Sequence, residues 1–324
     1  SRGLGDVYKR QIQMIVDQVT ESVGTVMKYK LVAVGGADLP LWTAGAHLDI
    51  VVAPEFLRQY SMCGDPSDRS CYEIAVLLDP EGRGGSKLMQ RIFEEGRRVF
   101  VSKPINHFAL EASASLSLLF GGGIGVTPMI AFAHELDSAG RNFKLMYSSS
   151  TQASAAFDSD FEGQPWAKKC SKHYSDQGSR LDIASVVPPY EAGIHIYVCG
   201  PNAYMTSILD HARFMGYPDV VLHAEFFVVP DMPDWVNFPF EIERNNGQKV
   251  SVSVDQSASD ALIAAGISVD VKCSDGLCGV CKCTLISGAV EHRDFVLSAA
   301  QRETTMILCQ SRALQKNAVL KLDI

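Results

Sequence analysis

Three cysteines near the C-terminal end are spaced C-x4-C-x2-C: Cys273, Cys278 and Cys281, and Cys309 follows after a long gap. This is the plant-type spacing for a [2Fe–2S] cluster, in which two irons are held by four thiolates. A short loop bearing Gly276 and Gly279 can fold three of them around a cluster, and a distant segment then supplies the fourth. A second reading of the region is a structural zinc module built from Cys278, Cys281, Cys283 and Cys309. A brown protein with cluster absorption excludes that reading, and a colourless one with bound zinc excludes the first. A one-electron centre implies a source and a sink of electrons, and the rest of the chain has to supply or meet both.

The chain has 324 residues, enough for two or three domains. No apolar run is long enough to span a membrane, and the longest candidate, Ser115–Ile124, is interrupted by Gly121, Gly122 and Gly123. No signal-peptide pattern is present. With 37 acidic and 29 basic residues the net charge is −8, which argues against nucleic acid and anionic membranes as partners. Beyond the four cysteines assigned to iron, Cys63, Cys71, Cys170, Cys199 and Cys283 form no disulfide framework. A reducing cytoplasm fits that usage, and a monomer is expected. Asp6–Gln11 looks like a translated adapter end from library preparation, so Ser1–Gln11 is set aside from fold reasoning.

Residues 12–111 are strand-rich. Thr25–Val34, His47–Val52 and Tyr72–Leu78 read as strands and Ser86–Glu95 as a helix, which predicts a small antiparallel barrel. Two clusters in it could carry chemistry. Arg58 and Tyr60 share one face of a strand, with Ser61 beside them. Together they offer a cation for a phosphate, a surface to stack on and a hydroxyl donor. Gly82-Arg83-Gly84-Gly85-Ser86 leads into the helix, where free amides can meet a phosphate. Taken singly, the first is also an ordinary strand and the second an ordinary turn. Asp79-Pro80-Glu81 is read as a solvated turn.

Residues 112–229 alternate strands and helices. Ser115–Phe120, Phe143–Ser149, Ile194–Cys199 and Val220–Phe227 read as strands, and Met129–Ala139 and Asn202–Met215 as helices. That order predicts a parallel sheet with ligands at the C-terminal strand ends. The turn Gly121–Pro128 sits on a strand-to-helix junction, where the amides of Gly122, Gly123 and Gly125 can hold a pyrophosphate, or where the glycines serve packing alone. It is not the G-x-G-x-x-G fingerprint, and Ser148-Ser149-Ser150-Thr151 replaces the usual ribose-binding carboxylate. Residues 230–237, with Pro230 and Pro233, read as a linker. The last domain, 238–324, opens with a hairpin of Phe240–Arg244 and Lys249–Val254 around Asn246-Gly247. Ser259–Ala265 follows as a short helix; Cys283–Ile286, Met306–Cys309 and Ala318–Leu322 complete the α+β pattern. The eight histidines show no metal-ligand spacing.

This order of flavin barrel, nucleotide domain and C-terminal ferredoxin resembles the phthalate dioxygenase reductase family, which includes the reductases of vanillate demethylase-type and carnitine monooxygenase-type Rieske systems. The resemblance covers nearly everything after Gln11. It rests on Arg58-x-Tyr60-Ser61, Gly84-Gly85-Ser86, Gly121–Pro128, Cys199-Gly200-Pro201, His223-x-Glu225-x-Phe227 and the four spaced cysteines. It implies that Arg58 and Ser86, with Gly84 and Gly85, hold the phosphate of FMN. Tyr60 would stack on the isoalloxazine, Ser61 would lie near N5, and the backbone at Ala75 and Val76 would face the pyrimidine ring. Gly122, Gly123, Gly125, Thr127, Pro128, Cys199, Gly200 and Pro201 would bind the nicotinamide nucleotide, with Thr127 and Cys199 flanking its ring. Phe227 would cover the flavin face. Cys273, Cys278, Cys281 and Cys309 would bind iron, and Cys283 would be a core thiol.

FMN is expected over FAD, since no contacts for an adenine half are evident. NADH is expected over NADPH, since Ser148–Gln152 holds no cation for a 2′-phosphate, and Lys144, Lys168, Lys169 and Arg180 are not obviously placed for one. The implied path runs from NADH by hydride transfer to FMN, then in single-electron steps to the cluster and on to a terminal Rieske-type oxygenase. The alternative enzyme is a free-standing NADH-dependent ferric or flavin reductase. From Phe238 onward ten acidic and nine basic residues nearly cancel, so docking is not expected to depend on strong long-range steering. Ser274, Asp275, Gly276, Leu277 and Gly279 would lie over the cluster, where the oxygenase docks.

Overall fold

Alternating apolar residues in the first hundred positions give strands with one buried face, and these curl around a single interior. The computed structural model describes residues 11–23, 25–53, 56–80, 82, 84–229 and 235–324. It comprises two compact units, Ser1–Ala224 and Glu225–Ile324. Arg83, Glu81 and Pro230–Asp234 of the expected turn and linker, and most of the N-terminal stretch set aside above, lie outside the described residues. Gln11 does not: it opens the first strand and pairs with Ser102, so the stretch set aside above includes one residue of that strand.

In the first unit, β1 (Gln11–Glu21), β2 (Val26–Ala33), β3 (Ala46–Ala53), β4 (Phe56–Ser61), β5 (Cys71–Leu77), β6 (Arg98–Ser102) and β7 (Ile105–Asn106) form a seven-stranded sheet. The order is β4-β3-β6-β1-β2-β5, with β7 on β3. The two end strands meet through the antiparallel bridge Met62–Ile74, which brings the sheet near closure and sets the end of β4 beside β5. A register shift between Val16 and Gln18 in β1 supplies a bend of the kind a closing sheet needs. Met14, Val16, Leu31, Leu48, Ile50 and Val101 fill the interior. The helix α1 (Gly85–Ile92) lies across β3, β4 and β5.

The chain then builds β8 (Leu116–Gly122), α2 (Val126–Ser138), β9 (Phe143–Ser149), β10 (Cys170–Tyr174), α3 (Ile183–Val186), β11 (Ile194–Cys199), α4 (Asn202–Phe214) and β12 (Leu222–Glu225). The sheet order is β10-β9-β8-β11-β12, and β10, β9, β8 and β11 run parallel. The order reverses between β8 and β11, so their C-terminal ends form a switch point. β10 was not expected. It is an edge strand whose middle reads Ser171-Lys172-His173, and only Tyr174 is buried. α2 starts at Val126 rather than Met129, because Pro128 is tolerated within a first helical turn. Residues on both sides of Glu111 share one core: Phe108, Phe132 and Tyr197 form a ring cluster with centroids 5.1–5.9 Å apart.

β11 and β12 carry a pair that spacing alone could not reveal. His195 Nδ1 lies 2.9 Å from His223 Nε2, and Tyr197 stacks on His223 at 4.5 Å. Burial first, then the neighbouring His195, pushes His223 down from 6.5 to about 4, with Glu111 opposing. The unfolded chain therefore binds a proton that the folded chain refuses between pH 6.5 and 4. The pair's contribution is intact above that window and is lost as pH falls through it, up to about 3 kcal/mol at the acid end. Denaturant unfolding from pH 7 to pH 4 should show this slope, and His223→Phe should flatten it.

In the second unit, β13 (Phe240–Arg244), β14 (Lys249–Val252), α5 (Ala258–Ala264), β15 (Lys282–Ser287), β16 (Val290–Glu291), α6 (Ala299–Arg302), β17 (Thr305–Ile307), β18 (Arg312–Ala313) and β19 (Val319–Leu322) surround a core of Ile242, Leu262, Met306, Leu320 and Leu322. The main sheet is β14-β13-β19-β15-β17, and β16 pairs with β18. The β13–β14 turn uses Gly247 at φ +79°, a conformation that costs glycine little. Ser257 caps α5 by accepting from the Asp260 amide at 3.0 Å.

Candidate functional site

On β4, Arg58 and Tyr60 stand opposite Ile50 and Leu48 of β3, while Ser61 takes the alternate face opposite His47. The Arg58 guanidinium sits 5.0 Å over the Phe56 ring, and Nη1 donates to Leu57 O at 3.0 Å. It reaches the start of α1 only because residue 85 is glycine: a Cβ there would lie 2.4 Å from Arg58 Nε. Gly84 precedes the helix at φ +87°, and among the described residues no side chain caps it, so the first-turn amides face the same place as Arg58. Ser86 Oγ accepts from the Asp79 amide at 3.1 Å, which leaves its own proton to donate. A guanidinium, a hydroxyl and uncapped amides gathered here have the donor chemistry that a phosphate needs. Burial pushes the Tyr60 phenol up to about 12, against the pull of Arg58, so it stays neutral.

The barrel bridge brings Ser61, which is buried, close to Ala75 and Val76 on β5. Behind Ser61 lies a polar group absent from the expectations. His47 Nε2 is 2.8 Å from Gln59 Nε2, and Gln59 Nε2 donates to Asp49 Oδ1 at 3.2 Å. An amide nitrogen can only donate, so His47 Nε2 accepts and its proton is on Nδ1. The signal was available in outline: His47-x-Asp49 and Gln59-x-Ser61 each alternate on one strand face.

β5 also lies against the glycine turn that follows β8. There the glycines pack strand ends. A Cβ at Gly125 would lie 2.4 Å from the Cys199 carbonyl carbon and oxygen, and one at Gly200 would lie 2.9 Å from Gly122 Cα. Gly123 meets nothing within 4 Å, but its φ is +54°. Pro201 and Tyr204 close over Gly122, where a Cβ would meet them at 3.0 and 2.8 Å. Thr127 Oγ1 donates to Ile124 O at 3.0 Å. Thr127 and Cys199 are only 2% and 0% exposed, so they form a floor rather than an open wall. Pro128 is buried in the first turn of α2.

At the far strand ends, the Ser149, Ser150 and Thr151 hydroxyls all bond to Ser154. Lys144 lies near the opposite end of β9, and Lys169, just before β10, is paired to Asp137 at 2.6 Å. Arg180 alone of the four basic residues follows the C-terminal end of β10. It comes after a turn in which the Asp176 amide donates to Ser150 O at 3.0 Å.

In the second unit the cysteine loop turns sharply through Ser274, Gly276 and Gly279, all in the left-handed region. Gln310 Nε2 fixes it by donating to Ser274 O at 2.7 Å. Cys273, Cys278, Cys281 and Cys309 are brought together, and three of them are buried. The thiols hydrogen-bond one another. Cys273 is driven down by Cys278 and then Cys309, and Cys281 falls to about 7 through Cys309; Cys278 and Cys309 rise, each first through Cys273. Backbone amides also aim at the sulfurs: Asp275 and Leu277 at Cys273, Val280 at Cys278 and Gly276 at Cys309. Four sulfurs surrounded by amide donors suit thiolate ligands of an iron–sulfur cluster. Cys283 stays apart: its Sγ reaches Asp323 O at 3.6 Å, and burial, then Asp323, lifts it to about 11. Phe227, in the second unit, is 39% exposed.

Comparison with known proteins agrees with this geometry. The 2Fe-2S iron-sulfur cluster binding domain family matches residues 242–314. The vanillate O-demethylase oxidoreductase of Pseudomonas sp. (strain HR199 / DSM 7063) is 36% identical over 97% of this chain and 100% of its own. The solved phthalate dioxygenase reductase, described as a modular structure for electron transfer from pyridine nucleotides to [2Fe–2S], is 32% identical, covers 98% of both chains and superposes with a TM-score of 0.70. An intact type IV self-sufficient cytochrome P450 monooxygenase matches all of this chain over 42% of its own length, with 32% identity and a TM-score of 0.90. A near-closed barrel, a parallel-sheet domain and a C-terminal cluster-binding domain, shared end to end with such relatives, make this chain a member of the phthalate dioxygenase reductase family of electron-transfer oxidoreductases.

Proposed function

We propose that the chain is the reductase component of a two-component oxygenase system, drawing electrons from NADH through FMN to its [2Fe–2S] centre and delivering them to a terminal Rieske-type oxygenase. The observation that carries this is the pairing of an Arg58–Ser86 phosphate cradle with four converging cysteines in one chain. Arg58, Ser86 and the amides after Gly84 would hold the FMN phosphate, Tyr60 would stack on the ring system, and the Ser61 hydroxyl would lie near N5. The backbone of Ala75 and Val76 faces the pyrimidine edge. The turn Gly122–Pro128 with Cys199, Gly200 and Pro201 would receive the nucleotide, and Thr127 and Cys199 would underlie its reactive ring. Cys273, Cys278, Cys281 and Cys309 ligate iron. A flavin supplies the step between a two-electron donor and a one-electron acceptor. The side chains position and shield; none has to move a proton, and neutral Tyr60 is suited to stacking.

Arg58→Gln removes the cradle's cation and its charged hydrogen bonds. It should weaken FMN binding by roughly 10- to 100-fold, measured by fluorescence titration of the flavin-depleted protein. Unchanged affinity would move the phosphate site elsewhere. The function is tested by reconstitution with an isolated Rieske-type oxygenase component, comparing kcat/KM for NADH and NADPH. Substrate oxidation driven preferentially by NADH is expected. Reduction of ferric chelates or free flavin with no transfer to the oxygenase would favour a free-standing reductase. Transfer only to a heme oxygenase would replace the Rieske partner.

A further inference from the structure

The loop Arg293–Phe295 touches three things at once. Arg293 is 7% exposed. Its Nη1 donates to Asn237 Oδ1 at 2.6 Å and its Nη2 to Val236 O at 3.3 Å, and its guanidinium sits 4.7 Å over the Trp235 ring. Glu291 holds the same guanidinium through Nε at 2.7 Å and through Nη2. Phe295 packs on Phe226, with centroids 5.1 Å apart. Phe226 precedes the expected linker and Trp235–Asn237 are its last three residues, so the approach to the linker and its end both rest on one short loop.

The other side of that loop backs onto the cysteine loop. The Phe295 amide donates to Gly276 O at 3.1 Å. A Cβ at Gly276 would lie 3.3 Å from both Arg293 O and Asp294 Cα. The Arg293 amide donates to Ser311 Oγ at 3.3 Å, two residues beyond Cys309. Asp294, 2% exposed, locks the turn by accepting from the Leu297 amide at 2.9 Å, and Arg302 Nη2 donates to Asp294 O at 2.8 Å.

We propose that Arg293 is a positioning residue that couples the end of the linker to the cysteine loop, so that a change at Trp235–Asn237 is felt at Gly276–Cys278. A guanidinium suits this role because one planar group can stack, bind a carboxylate through two nitrogens and still reach the linker. The inference goes beyond the proposed electron path and does not depend on FMN, NADH or the oxygenase.

The test uses the full-length, cluster-loaded protein and amide hydrogen exchange, with the electron paramagnetic resonance spectrum of the dithionite-reduced cluster as a second readout. Trp235→Ala changes only the linker side. It should raise exchange about tenfold at Gly276 and Leu277 as well as at Val236 and Asn237, and shift the cluster g-values. In an Arg293→Gln background the Trp235→Ala change should add nothing at Gly276 and Leu277. Arg293→Lys should resemble Arg293→Gln, since an ammonium cannot reproduce the fork. Faster exchange confined to residues 235–238, with the spectrum unchanged, would overturn the coupling and leave a local clamp. No change at either place would overturn both. If Arg293→Gln does not fold, Asn237→Ala beside Trp235→Ala tests the same transmission, and silence at Gly276 in both sinks it.

Discussion

Cys309→Ser is expected to abolish cluster binding, with iron content and visible cluster absorption lost together. A serine hydroxyl does not ionise as a thiol does, and the remaining three sulfurs cannot complete the set of four that two irons require. The loss in iron affinity should exceed the roughly 10- to 100-fold that follows changes outside the ligand shell. The protein should still fold, since Cys309 sits at the rim of a core whose bulk is Met306, Ile307, Leu308 and Leu320. NADH-dependent reduction of an acceptor that takes electrons from the flavin directly should persist. Cys283→Ser is the matched control. Its sulfur bonds to the backbone at Asp323 and Thr284 rather than to the other thiols, so iron content should hold. Iron analysis of the two purified variants separates the assigned ligand set from the zinc alternative that used Cys283.

Gly125→Ala should be the most damaging single methyl in the glycine turn Gly121–Gly125. Its Cβ would meet backbone atoms of Cys199 at 2.4 Å and Gly200 N at 2.5 Å, and no rotamer change relieves that contact. β8 and β11 must separate at the switch point. Overpacking of this kind costs about 3 kcal/mol, and misplacing the nucleotide turn should lower kcat/KM for NADH by about 100-fold. Gly123→Ala has open space and only the strain of φ +54°, about 1 kcal/mol. Urea unfolding and NADH kinetics on both variants measure the difference. Equal effects would mean that the turn matters for its conformational freedom and not for the contact of the two strand ends.

Much of this architecture is legible in the residues. Phe143–Ser149, Ile194–Cys199 and Phe240–Arg244 occur as strands with the expected bounds, because each is bordered by a turn and has an unambiguous apolar pattern. β10 escaped because an edge strand exposes one side and fills it with polar residues, which removes the pattern that marks a strand. The expected strand at Val220–Phe227 shortens to Leu222–Glu225, since a 3₁₀ turn takes up Asp219–Val221. Side-chain pairs made by topology were also invisible. His195 and His223 are 28 positions apart and meet only because β11 and β12 are neighbours. Arg293 carries no motif, and its importance comes from the partners that the fold of the second unit brings to it. The cysteines stand out in the sequence because metal ligation, the role proposed for them, fixes spacing within a loop, and Arg58, Gly85 and Ser86 because the proposed phosphate cradle needs few residue types in a set order.

The central claim is that one chain carries electrons from a nicotinamide nucleotide to its own iron–sulfur centre. Anaerobic titration of the cofactor-loaded protein with NADH, followed by freeze-quench electron paramagnetic resonance, tests it most directly. The account predicts that a reduced [2Fe–2S] signal develops with NADH as the sole reductant and is missing in Arg58→Gln depleted of flavin. A flavin that bleaches with NADH while the cluster stays oxidised, although dithionite reduces it, would contradict the account.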